Sequence, residues 1–124
     1  MEKSKIIVGQ SAIINIDSIL ENVTQTIGAT SGLDSRQKTD LDTLVASLKA
    51  DIEKIKTSHA DEAQAITEAL QKVVANATKP PQERKQSLLQ LSTNGLKEAA
   101  ELVKDVAPGL LQTAGLVAKF IVGL

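Results

Sequence analysis

The chain has no cysteine, no tryptophan and no tyrosine, and Phe120 is its only aromatic residue. Without cysteine there are no disulfide staples, thiolate nucleophiles or thiolate metal sites. Single-stranded nucleic acids are held on stacking rings, and protein hot spots lean on Trp, Tyr and Arg. Any interface of this chain must therefore be aliphatic. A surplus of charge is also missing: 14 Lys and Arg stand against 15 Asp and Glu, and residues 34–79 intersperse seven positive with eight negative side chains. No basic stripe is present to neutralise phosphates, which argues against nucleic-acid binding. At the N-terminus, Lys3 and Lys5 precede only Ile6, Ile7 and Val8 before Gly9. That apolar run is far shorter than a secretory signal needs, so the expected location is cytoplasmic.

What is present is aliphatic periodicity. The 124 residues fit one domain, 1–124, with a core of Leu, Ile, Val and Ala. Half of the positions from Ile6 to Ile27 are Ile, Val or Thr, whose stiff χ1 favours the pleated surface. Ala12, Ile14, Ile16, Ser18 and Leu20 alternate onto one face, so a strand or extended segment over 5–27 is the preferred reading. A helix competes, because Ile16, Ile19, Leu20, Val23 and Ile27 also fit a helical stripe. Five apolar side chains of this segment, Ile14, Ile16, Ile19, Leu20 and Val23, are too many for a free tail. They are the candidate self-association residues, and a homo-oligomer is the expected state.

The stretch GATSG at 28–32 reads as a linker. A helix is expected from Asp34 or Ser35, where Asp34 and Gln37 have capping-box spacing. Leu41, Leu44, Val45, Leu48, Ile52 and Ile55 continue it at spacings of three and four. A second helix is expected from Ser58, with Asp61 in its first turn and a stripe of Ala63, Ile66, Leu70, Val73, Val74 and Ala77. The short link between the two predicts an antiparallel helical hairpin over 34–78. Pro80 and Pro81 end it, and Pro81 can open the next helix. Leu88, Leu89 and Leu91 are expected on the apolar side of that helix, Thr93, Asn94 and Gly95 as a break or weak point, and Leu96 to Ala107 as its resumption. The C-terminal helices occupy 81–123. The predicted fold class is mainly α: an extended or β segment followed by a four- to five-helix bundle built on the hairpin.

Residues 108–124, PGLLQTAGLVAKFIVGL, carry one charge, Lys119. The segment is shorter than the roughly 20 apolar residues that span a bilayer, which favours a buried core helix. The competing reading is a membrane-active helix. In either case Leu110, Leu111, Val117, Phe120 and Ile121 are its candidate membrane or partner contacts.

No catalytic constellation is visible. His59 is the only histidine and lacks a second imidazole or thiolate for metal binding, so it reads as a solvated turn residue. Asp40 with Asp42, and Asp61 with Glu62, are too close in sequence to share a helical face. The stretch VGQSA has neither the spacing nor the basic residue of a phosphate loop. We expect no enzyme activity, no cofactor and no metal.

IDSILENVTQTIG at 16–28, taken with GLKEAAELVKDVAPGLLQTAGLVAKFI at 95–121, resembles a small module of bacterial, notably cyanobacterial, proteins. In those proteins similar segments follow effector or signalling regions such as NTPase and pentapeptide-repeat parts. The resemblance covers most of the chain from Ile14 onward and implies no functional residue. It implies an interaction module, with a protein partner and a link to a bacterial effector or defence system.

Overall fold

The computed structural model describes residues 2–124, with side chains described from Ile13 onward. The chain forms five helices: α1 (Glu2–Ala29), α2 (Ser35–Ile55), α3 (Ala60–Ala77), α4 (Gln86–Glu101) and α5 (Pro108–Val122). A 3₁₀ turn at Pro81–Glu83 lies between α3 and α4. The mainly helical bundle expected from the sequence is present.

The strand over 5–27 is not; the backbone there belongs to α1. Ile16, Leu20, Val23 and Ile27, at spacings of four, three and four, are all buried. Each buried aliphatic side chain contributes about 1.5–3 kcal/mol, against a few tenths lost to β-branching in a helix, so the helical stripe prevails. Thr24 helps by donating its hydroxyl back to the Leu20 carbonyl at 3.2 Å. The side chains of Ile6, Ile7 and Val8 lie outside the described residues.

The capping box at the head of α2 forms as expected. Asp34 Oδ1 accepts from the Gln37 amide at 2.8 Å, and Gln37 Oε1 accepts from the Asp34 amide at 3.0 Å. The corresponding cap expected at Ser58 does not form. Its hydroxyl shares a 2.9 Å hydrogen bond with His59 Nδ1, and α3 begins at Ala60 without a side-chain cap. Pro81 opens the 3₁₀ turn rather than α4, which starts five residues later. Thr93, Asn94 and Gly95 do not break α4; Thr93 is buried and donates to the Gln90 carbonyl at 3.0 Å. Tight turns from Leu102 to Val106 then unwind the chain, and Pro108 restarts it at a first-turn position of α5, where its missing N–H has no consequence.

Two long-range ties fix the direction of α1. At one end Thr30 Oγ1 donates to the Thr78 carbonyl at 2.6 Å, while the Gly32 amide donates to Thr30 Oγ1 at 3.0 Å. Toward the other end Lys56 Nζ reaches Asp17 at 2.9 Å and Glu53 at 2.7 Å. Thus α1 and α3 are parallel neighbours, and α2 returns antiparallel to α1. Around the bundle the order is α1, α3, α4, α5, α2. Gln86 Nε2 donating to the Val122 carbonyl at 3.1 Å joins the start of α4 to the end of α5.

The hairpin of α2 and α3 is therefore not the packing unit that the short link predicts. The turn at 56–59 connects them, but α3 packs chiefly between α1 and α4, and α2 between α5 and α1. Every helix contributes to one continuous core, with Ile16, Leu41, Ile52, Ile66, Leu96 and Ile121 all fully buried.

Candidate interaction surface

The sequence-derived candidates divide sharply. Of the N-terminal set, Ile16, Leu20 and Val23 lie in the chain's own core and Ile19 packs against it, whereas Ile14 is exposed. Of the C-terminal set, Leu110, Val117 and Ile121 are buried, and Leu111 and Phe120 lie half-buried against the core. Neither set forms an exposed cluster. No described helix is long and apolar enough to cross a membrane. The exposed helical stripe that a membrane or partner would touch is thus not on α5.

It is on α4. The helix has two apolar faces about a quarter-turn apart. Leu89, Thr93, Leu96 and Ala100 point into the core, and Val103 beyond the helix end continues that face. On the other, Leu88 and Leu91 remain 39% and 69% exposed, and past the end of the helix Leu102 and Val106 remain 65% and 56% exposed. The sequence pattern placed Leu88, Leu89 and Leu91 together on one apolar side; the structure buries only Leu89. The signal that separates them is the width of the stripe. Residues 88–106 supply more apolar positions than one core-facing sector of a helix accommodates.

Beside the exposed leucines, α3 and α4 bound an open groove of about 550 Å³. Ala65, Ala69 and Ala75 of α3 and Ser92, Gly95 and Ala99 of α4 form its small-residue lining, Leu88 and Leu91 stand along it, and Glu68, Lys72 and Asn76 supply polarity. Two further grooves are more polar. One, of about 330 Å³ between α1 and α2, includes Lys38, Asp42 and Thr43; the other, of about 440 Å³ between α4 and α5, includes Asn94, Lys97 and Lys119.

Chemistry of a catalytic kind has no platform among the described residues. No cluster of three His, Asp or Glu side chains capable of holding a metal ion is present there. Every described buried side-chain nitrogen or oxygen has a hydrogen-bond partner. Thr67, fully buried, donates to the Ala63 carbonyl at 2.7 Å. Among the titrating groups, Lys56 is held above the ordinary lysine value of 10.5, first by its hydrogen bond to Glu53 and then by that to Asp17. Both partners are exposed side chains on helix surfaces, an arrangement that ties α1 to α2.

No protein-family profile, curated protein or solved structure matches the chain.

Proposed function

We propose that the protein is a non-enzymatic helical interaction module that associates with copies of itself. The observation that carries this reading is the second apolar face of α4, where Leu88, Leu91, Leu102 and Val106 stay in water although the core beneath them is complete. Exposed apolar side chains gathered on one face, next to a groove lined by small residues, have the composition of an interface center. The neutral, mixed-sign surface elsewhere favours protein over nucleic acid as the partner. Association with a bacterial effector or defence component rests on the resemblance of residues 16–28 and 95–121 alone. Size-exclusion chromatography with light scattering tests the self-association reading. A mass above 13.1 kDa supports it, and a mass of 13.1 kDa at every attainable concentration removes it.

The membrane reading loses its motive in this fold. Inserting α5 would draw Leu110, Val117 and Ile121 out of a core they already share with α2 and α4.

A further inference from the structure

Gly95 sits in the interior of α4, where glycine costs about 1 kcal/mol relative to alanine. Nothing inside the chain requires it, because a Cβ at this position would meet no atom within 4 Å. It forms the lowest point of the α3–α4 groove wall, with Ala69 across from it and Leu91 one turn away. Because α4 runs antiparallel to α3, positions along the groove can be matched from the helix ends. Lys72 lies five residues before Ala77, the end of α3, and Leu91 lies five residues after Gln86, the start of α4. Glu68 and Gly95 each lie nine residues in. Lys72 and Leu91 therefore share one level, Glu68 and Gly95 the next.

We propose that two copies of the chain pair face to face across this groove, about a two-fold axis midway between Glu68 and Lys72. This rests on the self-association reading and specifies its surface and register. The axis sets Glu68 of each copy against Lys72 of the other, so two opposite-charge contacts form by symmetry. The same axis lays Leu91 of each copy over Gly95 of the other and brings Leu88 over the second copy's Ala99. Knobs meet hollows, and charges meet their opposites, in a single register.

Shifted axes lose both gains together. An axis through Lys72 opposes two ammonium groups and sets Leu91 against Leu91, and an axis through Glu68 opposes two carboxylates. A lipid surface is a poorer occupant, because it offers no ordered partners to the charges at the groove center. A second copy supplies both.

The test uses the full chain and compares its dimer dissociation with that of three variants. Gly95→Leu fills the hollow; its open surroundings leave the helical fold intact, as a thermal melt will verify. It should convert the dimer to monomer at concentrations where the native chain is dimeric. Glu68→Lys and Lys72→Glu, each alone, put like charges at both contacts and should weaken pairing by about tenfold. Mixing those two variants in equal amounts should restore pairing as a heterodimer, a result that loss of folding cannot imitate. A native dimer that none of these substitutions weakens would overturn this surface while leaving self-association standing. A native chain that is monomeric throughout would overturn both.

Discussion

Gly32 lies against the Lys79 carbonyl so closely that a Cβ on it would stand 2.6 Å from that oxygen and 2.7 Å from the carbonyl oxygen of Thr78. The α1–α2 turn and the end of α3 meet here, with Thr30 bonded to Thr78 in the same spot. Glycine is required by contact, not by an unusual backbone angle, since no described residue has a positive φ. Gly32→Ala should therefore destabilise the fold by about 1–3 kcal/mol, as overpacking does. Gly115→Ala, the same chemical change in the middle of α5, has free space around the new methyl and should stabilise by about 0.5–1 kcal/mol. Thermal melts of the two variants should move in opposite directions from the native value; shifts of the same sign would refute the packing described at one of them.

Leu48 is fully buried on α2, whereas Leu116 on α5 is an exposed leucine. Leu48→Ala should cost about 2–5 kcal/mol through lost burial and the cavity left behind. Leu116→Ala should change stability by less than about 0.5 kcal/mol. Urea titrations of both variants check the contrast, and equal losses would show that the core is not where the structure puts it.

Truncation before Thr30 gives a third prediction. Ile16, Leu20, Val23 and Ile27 cover α3 and part of α2, so removing residues 1–27 should expose their partners and abolish cooperative unfolding. A soluble truncated chain with a sharp melt would return those side chains to the role of an intersubunit surface.

The pair of Lys56 with Asp17 and Glu53 has a definite pH signature. The folded-state pKa of Lys56 is raised, so its contribution is fully present below the ordinary value of 10.5 and is lost as pH rises through the higher folded value. Because the partners are exposed, the contribution should be under about 1 kcal/mol. The stability difference between the native chain and Lys56→Met, measured by denaturant titration, should stay constant from neutrality up to that range and then shrink. A difference that grows as the solution becomes alkaline would contradict the assignment.

Much of this fold was legible in the sequence wherever a local signal coincided with the final packing. Asp34 and Gln37 announced the start of α2 because a capping box is a local device, and Ala63 to Ala77 announced α3 because its stripe is unbroken. The N-terminal helix was obscured by its β-branched residues, whose local preference for a strand is weaker than the burial of Ile16, Leu20, Val23 and Ile27. Helix pairing was not legible. The loop at 56–59 brings α2 and α3 together in sequence, but α3 is held between α1 and α4 by packing that involves residues far apart in the chain. The candidate surface escaped for a related reason. Leu88, Leu89 and Leu91 are equivalent by composition, and only the position of α4 against α3 and α5 decides which of them water reaches.

Self-association through the uncovered face of α4 is tested most directly by sedimentation equilibrium of the full chain over a dilution series. The account predicts a mass near twice 13.1 kDa that falls toward 13.1 kDa on dilution. A fixed mass of 13.1 kDa across the whole series would contradict it.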